Sequence, residues 1–162
     1  MMKINLVIVL FVFIISNSCS QKKQNIIIPL ENMDFSGIVA TSNNEDKKGF
    51  IRYLLVDNPS SDQKELVSIL KKYADSIVDE NRIGKNFDEC NINFYKKTSK
   101  TSEFIGTEKD FYQAQHDLGD YDQDYIGSYE MIQCNRDNIE KKWILRIQNP
   151  YQEIVIYDYC KP

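Results

Sequence analysis

The pattern of apolar and polar positions predicts several strands and one long helix. Apolar runs that are rich in β-branched and aromatic residues and bounded by polar turn residues are typical of strands. Such runs occupy residues 35–41, 50–56, 90–97, 125–134, 142–148 and 153–159, and residues 101–105 are a shorter candidate. Short polar turns separate the last three runs, which favours an antiparallel β-meander at the end of the chain.

The clearest helical pattern covers residues 61–81. Its apolar residues recur at helical spacing and form one stripe, which consists of Leu66, Ile69, Leu70, Tyr73 and Ile77. Lys71 is expected on the opposite, polar face. Ser60 and Gln63 have the spacing of a capping box at the start of the helix. A shorter helix is expected at residues 108–118, where Thr107 can act as the cap.

This order of elements predicts the fold class. Strands, a helix, and then strands with a minor helix indicate an α+β fold. We expect a single domain with a largely antiparallel sheet, one long amphipathic helix packed on it, and the C-terminal β-meander. The apolar stretch at residues 26–29 is either an edge strand or simply the start of the domain.

The first residues of the chain have the pattern of a secretory signal. Lys3 follows the positive amino terminus, residues 4–15 are apolar at every position but one, and the small residues Ser16 and Ser18 precede Cys19. The apolar run is shorter than the roughly 20 residues that a membrane-spanning helix requires. The sequence therefore predicts export.

The same stretch resembles the lipobox of bacterial lipoproteins, in which an apolar run ends in small residues and a cysteine. The resemblance implies cleavage before Cys19, a diacylglycerol on that residue, and a membrane anchor in the bacterial cell envelope. Ser20 implies the outer membrane more than the inner one. The ordinary signal peptidase would also accept Ser16 and Ser18, and would leave a free Cys19. We expect a signal peptide at residues 1–18, a lipid-anchored polar tether at 19–34, and the α+β domain at 35–162.

The net charge limits the classes of partner that the protein can bind, and the cysteine content predicts its disulfide bonds. The formal net charge is −4 and the basic residues are scattered, which argues against nucleic acid because phosphate backbones require clustered lysine and arginine. Besides Cys19 the chain has Cys90, Cys134 and Cys160. In an oxidising compartment an odd number predicts one disulfide and one free thiol.

Strand direction suggests which cysteines are bonded. In a meander, Cys134 and Cys160 reach the same end of the sheet, but a middle strand separates their own strands by about 10 Å, too far for a disulfide. A bond between Cys90 and Cys134 is therefore favoured, with Cys160 as the alternative partner of Cys90.

The most suggestive surface motif is Asp120, Asp122 and Asp124, with Tyr121 and Tyr125 between and beside them. Alternate carboxylates can bind calcium, but Tyr125 occupies the position where an EF-hand needs glycine. We therefore expect a solvated acidic loop and assign no metal and no cofactor. Tyrosines beside acids also suit the docking of a protein partner, so these five residues are the candidate partner-binding surface. Ordinary sheet packing of the tyrosines is the alternative.

No catalytic motif accompanies these residues. His116 is the only histidine, and nucleophile-elbow and zinc-protease signatures are missing from the sequence. We therefore expect a non-enzymatic binding domain for a protein partner, with an immunity or inhibitor protein as a sharper variant. The alternative is a hydrolase acting on cell-wall or glycan material, for which Glu130 and nearby acids could supply a carboxylate pair.

Overall fold

The structure is a computed structural model that describes residues 26–40, 46–134 and 140–160. The expected signal peptide, Cys19 and the polar residues up to 25 lie outside the described residues. In the described part of the chain, none of the helices is both long enough and apolar enough to cross a membrane.

Seven strands form a single sheet. They are β1 (Ile26–Pro29), β2 (Phe35–Ala40), β3 (Asp46–Asp57), β4 (Glu89–Lys96), β5 (Tyr125–Gln133), β6 (Lys141–Ile147) and β7 (Gln152–Asp158). The strand order is β1-β3-β4-β5-β6-β7, and β2 pairs with β3 on the same side as β1. The β3–β4 pair is parallel and the other pairs are antiparallel. The predicted α+β fold with a largely antiparallel sheet and a C-terminal meander is confirmed.

A parallel strand pair needs a crossover connection, and helix α1 (Gln63–Asn81) lies between β3 and β4. The helix begins after Asp62, whose side chain accepts a hydrogen bond from the Glu65 N–H at 3.0 Å. The expected capping box of Ser60 and Gln63 is therefore wrong by two positions. The hydroxyl of Ser60 instead donates to Glu65 Oε2 at 2.7 Å.

Helix α1 packs its apolar stripe on one face of the sheet, as predicted. Leu70, Ala74 and Ile77 are buried there, against core residues that include Phe50, Leu54, Ile92, Phe94, Tyr129, Trp143 and Leu145. Of the other residues of the predicted stripe, Leu66, Ile69 and Tyr73 are only half-buried. Lys71 lies at the border of the stripe instead of on the far face, because its amine reaches Asp75 and the Tyr157 hydroxyl.

A short helix, α2 (Ile83–Asn86), precedes β4. Helix α3 (Phe111–Gly119) comes after β4 and covers part of the other face of the sheet. It begins after Asp110, which accepts from the Gln113 N–H at 3.1 Å, and not after Thr107. The strand expected at residues 101–105 is also wrong, since Thr101–Phe104 is a 3-10 helix. The Thr101 hydroxyl donates to the Lys96 carbonyl, a local bond that competes with strand pairing.

The domain begins earlier than the boundary expected at residue 35. Ile26–Pro29 is an edge strand of the sheet, which was the first of its two alternatives. Leu30 and Met33, which follow it, are almost completely buried under the face that carries α3. Residues 26–34, assigned above to the tether, therefore belong to the packed domain because their apolar side chains complete its core.

The predicted disulfide pairing is wrong. Cys134 is bonded to Cys160 with a Cα–Cα distance of 5.5 Å, and Cys90 is a buried free thiol. The Cys134 N–H donates to the Glu140 carbonyl, just before β6 begins. The two bonded cysteines follow the ends of β5 and β7, where the chain segments leave the sheet and converge. The 10 Å spacing of alternate strands applies inside a sheet and not beyond its end.

Cys90 cannot take part because it lies inside β4. Its partner in the strand register is Met131 of β5, and its side chain belongs to the core under α1. Burial raises the pKa of the Cys90 thiol to about 12. The residue therefore behaves as a small apolar side chain of the core.

Candidate functional site

A wide groove of about 1260 Å³ lies where α1 meets α2 and the neighbouring ends of β5 and β6. We call it the corner groove. It is larger than two other cavities of the domain, of about 430 and 290 Å³. Its lining combines apolar side chains from the sheet with charged side chains from α1, α2 and the start of β3.

The floor of the corner groove is aromatic and firmly held. Trp143 is only 6% exposed, and its ring packs on that of Tyr129 with centroids 5.5 Å apart. Phe87 meets Phe50 edge to face, also at 5.5 Å. Met131 lies beside them and is buried. Because these side chains are anchored in the core under α1, they lose little conformational freedom when a ligand covers them.

Tyr159 forms one side of the groove and is 63% exposed. Its N–H donates to the Lys141 carbonyl at 3.3 Å, and its ring stacks against Tyr157 with a centroid distance of 6.5 Å. The next residue is Cys160, which is bonded to Cys134. The disulfide therefore fixes the chain that carries Tyr159 at the edge of the groove.

Positive side chains line the rim. Lys48, Arg82 and Lys85 are exposed, and their side chains form no ion pair or hydrogen bond within the described ranges 26–40, 46–134 and 140–160. Asp88, by contrast, accepts from the Lys48 backbone N–H at 3.0 Å and lies 4.0 Å from Lys141 Nζ. The rim thus keeps cations available to a ligand.

Arg82 occupies an unusual backbone position. It has φ 50° and ψ 43°, in the left-handed region that disfavours residues other than glycine. Its N–H bonds to the carbonyls of Val78 and Asp79 and closes α1, and α2 starts at the next residue. Such conformations persist where the surrounding structure holds them, often at functional sites. Here the conformation places Arg82 at the corner between the two helices.

The predicted partner-binding residues lie on the other face of the sheet, beside α3. Asp120 and Asp122 are exposed, whereas Asp124 accepts a hydrogen bond from the Thr98 hydroxyl at 3.1 Å. In the described residues, no group of three or more histidine, cysteine, aspartate or glutamate side chains is placed to hold a metal ion.

The two tyrosines of that motif pack in the protein. Tyr121 meets Phe104 edge to face at 6.1 Å, and Tyr125 packs on Tyr95 at 5.1 Å. Both belong to the partly buried rim of the core beneath α3. Tyr121 and Tyr125 are therefore packed as ordinary sheet and core tyrosines, as the alternative interpretation predicted.

The candidate acids for hydrolysis are engaged. Both oxygens of Glu130 accept hydrogen bonds, one from the Ser128 hydroxyl and the other from Arg146. Protein donors thus occupy both oxygens that a glycosidase would direct at its substrate. His116 is exposed on α3, where Nδ1 lies 3.4 Å from Asp117 Oδ1.

Comparison with known proteins gives no relative: no protein-family model, no curated protein and no solved structure matches the sequence. The sequence pattern does not predict the corner groove because its residues come from distant segments. The signals that could have indicated it are the single tryptophan and the tyrosine-rich C-terminal strand.

Proposed function

We propose that this chain is an exported, lipid-anchored cell-envelope protein whose single, non-enzymatic domain binds a protein partner through the corner groove. The observation that carries the proposal is the convergence of Trp143, Tyr159, Phe87 and Arg82 on one concavity. Tryptophan, tyrosine and arginine dominate the binding energy of protein interfaces, and aromatic residues are enriched at their centres.

The physical state of these side chains supports binding more than catalysis. The floor is buried in the core, the rim is charged and exposed, and the groove has a volume of about 1260 Å³. Export and anchoring rest on the pattern of the first 19 residues. A partner that is a secreted toxin would make this domain an immunity or inhibitor protein.

A site-specific crosslinking experiment tests the proposal in intact envelopes. A photoreactive amino acid replaces Tyr159 at the groove or, as the matched control, Tyr112 on α3, which is a tyrosine of similar exposure (71% against 63%) on the opposite face. We expect a discrete protein adduct from position 159 that is missing from position 112. The adduct should weaken when Arg82→Glu is added. Equal adducts from both positions, or none from position 159, would overturn the proposal.

A further inference from the structure

The lining of the corner groove carries more positive than negative side chains. The whole chain is acidic, with 24 aspartates and glutamates against 20 lysines and arginines. Lys48, Arg82 and Lys85 nevertheless have no side-chain partner in the described residues. Three acids also line the groove, Asp79, Asp88 and Glu140, and Asp88 is already engaged by Lys141 and by a backbone N–H. With Lys141 included, four cations face these three acids.

These cations surround an apolar floor. Their charged groups can meet carboxylates at the rim while an aromatic side chain packs on Phe87 and Tyr159, beside the buried Trp143. Carboxylates alone would leave the exposed ring of Tyr159 and the half-buried ring of Phe87 uncovered. An apolar segment alone would leave the rim cations without partners. Both features are satisfied by one polypeptide segment that carries acids on either side of an aromatic residue.

We infer that the occupant of the corner groove is an acidic segment of the partner protein with at least one aromatic side chain. This inference rests on the proposed function and adds the chemistry of the partner. A nucleic acid strand also combines negative charge with rings that stack. It is disfavoured because its charge extends beyond the groove, toward a domain whose net charge is −4.

The only tryptophan of the chain is Trp143, so its fluorescence reports directly on the groove. The probes are short synthetic peptides that contain aspartate and phenylalanine among glycine and serine. One control peptide has asparagine in place of aspartate, and another has alanine in place of phenylalanine. We expect saturable change of the Trp143 emission with the acidic aromatic peptide, weakened by salt because the charge pairs are exposed.

Charge variants locate the binding. Arg82→Ala and Lys85→Ala should each raise the dissociation constant of the acidic peptide about two- to fivefold, the range for exposed ion pairs. Lys64→Ala is the matched control, since Lys64 is an exposed lysine of α1 outside the groove. The dissociation constant of the acidic peptide from the Lys64→Ala variant should equal that from the unaltered protein.

Several outcomes would overturn the inference. If the asparagine peptide binds as tightly as the aspartate peptide, or if neither binds saturably, the groove does not recognise an acidic segment. If crosslinking from position 159 still succeeds after such a peptide result, the proposed protein-binding function stands and only the inference about an acidic segment is overturned. A short oligothymidylate that binds more tightly than the acidic peptide would assign the groove to nucleic acid and also overturn the inference.

Discussion

The buried hydroxyl of Tyr129 donates to Asp75 Oδ1 at 2.7 Å and so joins the middle of the sheet to α1. The other carboxylate oxygen accepts from Lys71 Nζ at 2.5 Å, and the Tyr157 hydroxyl lies 3.5 Å from it. Burial raises the pKa of Tyr129, so the hydroxyl stays protonated and remains a donor. These contacts fix the position of α1 over β5 and β7.

Removing the Asp75 carboxylate should destabilise the fold more than removing the Tyr129 hydroxyl. Asp75→Ala leaves a buried hydroxyl unsatisfied and should lower the free energy of unfolding by about 1–3 kcal/mol, whereas Tyr129→Phe should cost about 0.5–1.5 kcal/mol. Glu80→Ala, at an exposed position of the same helix, should change it by less than about 0.5 kcal/mol. Urea unfolding measures all three variants. An Asp75→Ala protein as stable as the Glu80→Ala control would show that the Tyr129 bond contributes nothing.

The disulfide should contribute to stability and to the order of the groove. Cys134 and Cys160 are 26 positions apart, and a loop of that length is stabilised by about 2–4 kcal/mol when closed. We expect Cys160→Ser to lower the free energy of unfolding by about that amount. Reductant should then affect the unaltered protein and leave the variant unchanged. Non-reducing peptide mapping provides the covalent check: a peptide that joins Cys90 to Cys134 would contradict the structure.

Local patterns in the sequence predict most of the elements but not their long-range contacts. The strands and α1 follow from alternating or helical spacing, which depends on neighbours in sequence. The pairing of Cys134 with Cys160 depends on where two strands end and how the chain leaves the sheet. The corner groove depends on strand order and on the angle between α1 and α2. None of these is contained in a local pattern.

Residue type alone also fails to separate packed tyrosines from exposed ones. Tyr121 and Tyr125 were candidates because they stand beside aspartates, yet both pack against aromatic rings of the core. Tyr159, from the same tyrosine-rich half of the chain, is exposed beside the groove. The difference lies in the tertiary contacts of each ring: Tyr121 and Tyr125 meet Phe104 and Tyr95, whereas the neighbour of Tyr159, Cys160, is bonded to Cys134 outside the sheet.

The orientation of α1 can be tested by two neighbouring sites. Leu70 is completely buried, and Lys72 is exposed. Leu70→Ala should lower the free energy of unfolding by about 2–5 kcal/mol because it leaves a cavity in the core. Lys72→Ala should change it by less than about 0.5 kcal/mol. Similar losses from both substitutions, measured by urea unfolding, would show that α1 is rotated relative to the sheet.

Lipidation is expected at Cys19, which lies outside the described residues. Mass spectrometry of the protein from envelopes should find a mature chain that begins at Cys19 and carries acyl chains, and its extraction should require detergent. Cys19→Ser should leave the precursor uncut or release the domain. An unmodified Cys19 on a freely extracted protein would contradict the proposed anchor and favour the ordinary signal peptidase.

The last prediction concerns the pH dependence of stability that Cys90 introduces. Burial raises the pKa of this thiol from 9.0 to about 12. Between these values the unfolded chain releases the proton while the folded protein keeps it, so the unfolded state binds fewer protons. The free energy of unfolding must therefore fall as the pH rises above 9, by up to about 1.4 kcal/mol per pH unit from this group. Tyrosines and lysines titrate in the same range, and the comparison with Cys90→Ala separates their contribution. Urea unfolding at a series of pH values should give a shallower decline for Cys90→Ala than for the unaltered protein. Parallel declines would mean that Cys90 ionises as readily in the folded domain as in the unfolded chain, which its position in the core under α1 does not allow.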